Sequence, residues 1–311
     1  MSSPPNRAAT TGWLARTGGG MEDTPKSWRA RCRRVRPWLL AAPAMSLVVV
    51  FVLVPYVNIA VMSIRTPSPT AIFGPGFTTQ NYERVLTDPL YLGLLRDTLL
   101  FAVATTVICL GLGFPVALHL ARTRSRWRGV LYAAVLSPLL IGVVIRCFGW
   151  IVLLANNGLI NQMFGLAGFG PFRLMYNPVG VTIALVHVFL PFMILPIMNS
   201  IQSIDPRLGE AALTLGASRG RIFRRVTLPL SLPGIQSGVI LVFVLSASAY
   251  VIPMLLGGGQ VATTPTIVVQ QLMGSLLWPF GAALALVLSL TVLAIVALFA
   301  ALTRRGMRRV A

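Results

Sequence analysis

Residues 226–303 run for 78 positions without one formal charge. Residues 37–64, 98–121 and 174–204 are likewise uncharged. A water-soluble domain carries about 25% charged residues spread along its chain. Here charged residues are 11% of 311 and hydrophobic ones 56%. Such apolar surface needs a lipid solvent. A helix rises about 1.5 Å per residue, so about 20 apolar residues cross the hydrocarbon core. The pattern predicts an all-α integral membrane protein with six spans, near 38–62, 98–121, 130–154, 180–201, 236–256 and 281–303.

The net charge of +19 sits in clusters between these spans. That placement excludes a nucleic-acid-binding face and suits anionic lipid at the membrane surface. Eight Arg and Lys precede residue 37, four occupy 122–128, five occupy 202–235 and four follow residue 303. The three remaining loops hold three, one and none. By the positive-inside rule both termini and the two basic loops are cytoplasmic. Residues 1–36, rich in Pro, Gly and Arg, read as a disordered cytoplasmic tail. Residues 37–303 form the membrane domain, and 304–311 a second basic tail. Residues 78–97 read as an amphipathic helix on the outer surface, ahead of the second span. The loops 155–179 and 257–280 suit segments that dip back toward the membrane.

Cys32, Cys109 and Cys147 form neither a disulfide framework nor a zinc site. A phosphate-binding P-loop needs Gly-Lys followed by Ser or Thr, yet the only lysine is Lys26, in Pro25-Lys26-Ser27. His119 and His187 both fall in spans, and no catalytic constellation appears. The chain is therefore not expected to be an enzyme, nor to hold a metal or cofactor.

The 202–235 loop carries the most information. Asp205 is a good N-cap and Pro206 fits the first helical position. A short helix should run to about Leu215, where Gly216 can take the positive φ that ends it. Ser218 can cap a second short helix, which Pro229 should help to end. The product is a helix–turn–helix elbow outside the membrane.

Glu210-Ala211-Ala212, three residues, Gly216-Ala217, then Val226, one residue and Leu228-Pro229 resemble the EAA loop of ABC-importer permeases. Arg146-Cys-Phe-Gly-Trp150, Asn157-Gly-Leu-Ile-Asn161, Leu190-Pro-Phe-Met-Ile-Leu195, Pro253-Met-Leu-Leu-Gly-Gly258 and Trp278-Pro-Phe-Gly-Ala-Ala283 resemble the spermidine/putrescine-type branch. This resemblance implies an ABC importer type I-like permease fold in a bacterial inner membrane. It implies that the elbow is a coupling helix docking on an ATP-binding subunit. Two such subunits would use ATP and Mg, a second permease subunit, identical or homologous, would complete the pathway, and a periplasmic solute-binding protein would deliver cargo. The implied cargo is a polyamine, with iron, sulfate, phosphonate or thiamine as alternatives. A stand-alone secondary transporter or channel would explain six spans but not the elbow.

Arg146, in the third span, either faces the bundle interior or snorkels to the outer interface. Trp150, His187 and Tyr250 join it as possible pathway residues. All seven acidic residues fall outside the expected spans, so the subunit is expected to lack a tight cation site of its own.

Overall fold

The computed structural model describes residues 26–68, 71–123 and 125–307. The chain forms two units, Met1–Tyr56 and Val57–Ala311. Helix α1 spans Lys26–Ser63. It starts earlier than the expected tail boundary at residue 36. Residues 26–36 contain no glycine or proline and five Arg, which favours helix; the rest of that expected tail, 1–25, lies outside the described residues.

In the second unit, α2 is Gln80–Thr87 and α3 is Pro89–Arg122. The surface helix expected over 78–97 is therefore two pieces. Asp88 ends α2 and caps α3, its carboxylate accepting from the Leu90 N–H at 2.9 Å. Proline at the first position of α3 then fixes the new helix start. The second span's helix consequently begins at Pro89, and Asp97 lies inside it.

Helices α4 (Arg128–Leu140) and α5 (Val143–Leu154) replace the continuous third span expected over 130–154. Ile141 and Gly142 are extended, with ψ of 129° and 143°. Pro138 weakens the last turn of α4 because it cannot donate to the Ala134 carbonyl. The Ser137 hydroxyl donates to that carbonyl instead, at 3.1 Å. After α6 (Leu159–Leu166) comes α7 (Pro178–Gln202).

Helices α8 (Pro206–Thr214) and α9 (Arg219–Ile222) form the expected elbow. A π-helical turn over Phe223–Thr227 then leads without a break into α10 (Leu228–Ala247). Pro229 thus lies inside a continuous helical run and does not end one. The π turn just before it is the local adjustment that takes the helix past a residue with no N–H to give to the preceding turn. The fifth expected span, 236–256, shifts accordingly, because the chain leaves the helix at Ser248 and resumes as α11 (Val251–Gly257). Then follow α12 (Thr264–Val269), a second π turn at Gln270–Gly274, and α13 (Trp278–Met307).

Among the described residues six segments are long and apolar enough to cross a membrane: Met45–Ser63, Pro89–Arg122, Val143–Leu166, Pro178–Gln202, Arg219–Ala247 and Trp278–Arg304. The most enclosed is α7, which is apolar all round its axis, as a helix surrounded by protein must be. Its Val181, Leu185, Met193, Ile197 and Ile201 are buried, and α3 and α10 pack against it. Gly234 and Gly238 on α10 bring that helix close enough for its backbone to meet Met193, Pro196 and Ile197. A small residue every four positions is the usual means of such approach in lipid. Cys109 and Cys147 are simply buried packing residues.

The outer ends are tied by polar side chains. Asn81 donates to the Ser63 and Arg65 carbonyls at 2.9 and 3.0 Å, satisfying the end of α1. The Arg84 guanidinium lies over Phe280, 4.8 Å from the ring centroid, and Tyr91 meets Phe280 edge-on at 4.9 Å.

The orientation gives the first prediction. Single cysteines at 124, 220 and 308 in a cysteine-free variant should react with an impermeant maleimide only from the cytoplasmic side. Cysteines at 86 and 262 should react from outside. Position 86 is chosen because Leu86 is exposed, whereas Val85 beside it is buried. Outside labelling at 220 would rule out a cytoplasmic elbow.

Candidate functional sites

The elbow is built from local signals. The Asp205 carboxylate accepts from the Arg207 N–H at 2.9 Å, and Pro206 opens α8. Gly216 adopts φ +78°, with open space around the position a Cβ would take. The turn closes through Gly216 N–H to Leu213 O at 2.9 Å and Ala217 N–H to Ala212 O at 3.0 Å. Ser218 then caps α9, accepting from Arg221 N–H.

The two halves of the motif occupy different environments. Glu210, Ala211 and Gly216 are exposed, and Ala212 and Ala217 are half-buried. Leu208, Leu213 and Leu215 are also exposed, Leu215 to 88%. Outside the membrane, apolar side chains so placed suit a protein contact. Val226, Leu228 and Pro229 are half-buried at the root of α10, beside the buried Thr227. Phe223 meets Phe114 of α3 edge-on, with centroids 5.8 Å apart. The elbow is thereby continuous with α10 and meets α3 laterally.

Three of the four pathway residues come together. Arg146 and Trp150 lie one turn apart on α5, and the Trp150 Nε1–H donates to His187 Nδ1 on α7 at 3.1 Å. The two rings are edge-on, 5.4 Å apart. The Arg146 Nε and one terminal nitrogen are buried and make no hydrogen bond among the described residues. Arg146 is half-buried, with these two nitrogens enclosed by protein. Tyr250 is elsewhere, on the wall of a cavity of about 500 Å³ shared with Pro253, Met254 and Gln270.

Two further residues are given no role of their own by sequence reasoning. Asn161 is a structural knot: it donates to the Ala155 and Phe172 carbonyls and accepts from the Phe172 N–H at 3.0 Å, holding the loop around α6. Asp97, expected outside the membrane spans, lies within α3 and faces a cavity of about 530 Å³. The helix that carries the second span thus includes one carboxylate, near its outer end. The missing signal was the true start of α3 at Asp88-Pro89.

Six apolar spans, a broken-helix bundle and a basic helix–turn–helix elbow define the permease half of an ATP-driven importer. The match to a family model confirms this class: residues 29–309 fit the binding-protein-dependent transport system inner membrane component. The chain belongs to that family. It is 34% identical over 244 residues to the spermidine/putrescine transport system permease protein PotB of Escherichia coli (strain K12), covering 78% of this chain and 88% of that protein. It is 33% identical over 263 residues to PotB of Haemophilus influenzae (strain ATCC 51907 / DSM 11121 / KW20 / Rd), covering 84% and 91%. The fold matches a chain in the crystal structure of a bacterial ABC transporter involved in the import of the acidic polysaccharide alginate, with TM-score 0.73 and 18% identity over 90% of this chain and 99% of that one. The chain is thus a multi-pass permease subunit of an ABC importer, with the expected type I-like fold, and not a stand-alone secondary transporter.

Proposed function

We propose that this subunit forms half of the pathway for polyamine uptake across a bacterial inner membrane. The observation that carries the substrate class is the 34% identity to PotB over 78% of the chain. In this reading a periplasmic binding protein delivers spermidine or putrescine to the outer face. A second permease subunit, identical or homologous, completes the passage. Two ATPase subunits dock at the elbow, where Glu210 and the small residues Ala211 and Ala212 meet them, and Gly216-Ala217 sets the turn. Val226, Leu228 and Pro229 transmit the movement into α10. ATP and Mg belong to those partners; this chain contributes no catalytic group and needs no cofactor. Arg146, Trp150 and His187 form one part of the passage wall and Tyr250 another.

The test is uptake by the reconstituted transporter with its cognate binding protein in proteoliposomes loaded with ATP. Radiolabelled spermidine and putrescine should accumulate, and unlabelled polyamine should compete. Accumulation of iron, sulfate, phosphonate or thiamine without any response to polyamines would discard the substrate assignment while leaving the permease class intact.

A further inference from the structure

The Asp97 cavity lies between α3, the first turn of α7 and the loop that follows α11. Asp97, Phe101, Pro178, Thr182, Gln260 and Val261 are among its lining residues. Its volume of about 530 Å³ falls within the usual range for a small-ligand site. Asp97 lies eight residues after the α3 start, about 12 Å along the helix axis. That places it near the outer end of the helix.

The chemistry of the lining favours one kind of ligand. Asp97 Oδ1 accepts from Arg96 Nε and Nη2 at 3.0 and 2.9 Å, while Oδ2 receives no hydrogen bond from the described residues. Arg96 is 73% exposed, so water screens its hold on Asp97. The Thr182 hydroxyl spends its proton on the Pro178 carbonyl at 2.8 Å and faces a ligand as an acceptor. For an anion the cavity offers no cationic side chain among its lining residues, only the neutral Gln260 amide; Pro178 has no N–H, and the Val179 N–H is taken by Asn177 Oδ1 at 2.9 Å. Phe101 supplies an aromatic ring, a kind of group that attracts cations, and Leu100 and Val261 supply apolar wall for methylene groups.

The frame of the cavity is fixed on both sides. The Thr264 N–H donates to Thr98 Oγ1 at 2.8 Å, clamping the loop to the residue after Asp97. The Tyr176 N–H donates to the Leu256 carbonyl at 3.1 Å, and the Tyr176 ring lies under Gly258, which takes φ +54°. Gln260 is held between them, exposed toward the cavity.

We propose that this cavity is a receiving site for one terminal ammonium of an alkyl polyamine. The ammonium pairs with Asp97 and is accepted by Thr182, and the methylene chain lies on Phe101 and Val261. The proposal rests on the polyamine reading above. With a single half-exposed carboxylate the site is weak, which suits a passage from which the solute must leave.

The assembled transporter in lipid nanodiscs, without binding protein, should bind radiolabelled spermidine saturably. Asp97→Asn should weaken that binding about tenfold, equivalent to about 1.4 kcal/mol, and Asp97→Glu should largely restore it. Phe101→Leu and Thr182→Val should each weaken it by a smaller factor, and they carry the test if Asp97→Asn does not assemble. Equal binding by Asp97→Asn, or by both of the other variants, overturns the site. So does the absence of saturable binding by the wild-type transporter when the same preparation takes up spermidine with its binding protein; the polyamine reading then survives. If no amine is taken up even with binding protein, the polyamine reading fails first and the site falls with it.

Discussion

Uptake and solute-stimulated ATP hydrolysis should fall together, by about tenfold or more, when Gly216 is replaced by tryptophan. Gly216 holds φ +78°, and a side chain with a Cβ in that region costs about 1–2 kcal/mol. The turn sets how α8 is presented. Moreover, no atom lies within 4 Å of the position a Cβ would occupy, so the new side chain leaves the backbone into open space. Insertion and folding should therefore survive while docking of the elbow fails. Gly216→Asn is the control, because asparagine tolerates the left-handed region; it should keep most of the activity. Glu210→Arg, on the exposed face of α8, should reduce the same two activities without any change in the turn. Wild-type uptake in both Gly216→Trp and Glu210→Arg would show that the elbow is not the ATPase contact.

The elbow was readable because its signals are local. An Asp-Pro pair, a glycine and a serine at helical spacing fix two caps and a turn, whatever surrounds them. Pro229 was misread for a related reason. A proline signals a helix boundary but does not say on which side the helix lies, and here the π turn at Phe223–Thr227 carries the helix past it. The number of spans was legible from charge-free length, since the bilayer imposes that length on any helix. Their ends were not. Uncharged residues on either side of Ser248 look alike to a hydropathy count, so the true helix end at Ala247 was invisible.

The sites divide along the same line. The meeting of Trp150 with His187 spans 37 positions in sequence and depends on how α5 crosses α7. No local pattern encodes that. Asp97 was hidden by a misplaced helix start, although Asp88-Pro89 is itself a cap signal. The Gly234 and Gly238 pair was legible as a small-residue motif and went unused; its meaning lay in the helix that packs on it.

That pair carries the other large expected effect. A Cβ at Gly234 would lie 2.6 Å from the Pro196 carbonyl oxygen and 3.1 Å from the Ile197 Cα. Both are backbone atoms of α7, the most enclosed helix, and cannot turn aside. Gly234→Val should therefore push α10 away from α7 and cost more than about 3 kcal/mol, through overpacking in the core. In a detergent-solubilised preparation this should appear as a Tm lower by about 10 °C, or as loss of monodisperse protein. Gly238→Ala should be milder, since its nearest neighbour is the flexible Met193 Sδ at 2.9 Å. Gly111→Val on α3, with open space around it, should leave Tm unchanged. A wild-type Tm for Gly234→Val would mean that α7 and α10 are not in backbone contact. Because α10 continues directly from the elbow, the proposed coupling predicts that movement at α8 reaches the centre of the bundle through that contact. Gly238→Ala, with the fold kept but the contact loosened, should consequently lose more uptake than stability, and the ratio of the two losses measures how much of the coupling runs through this contact.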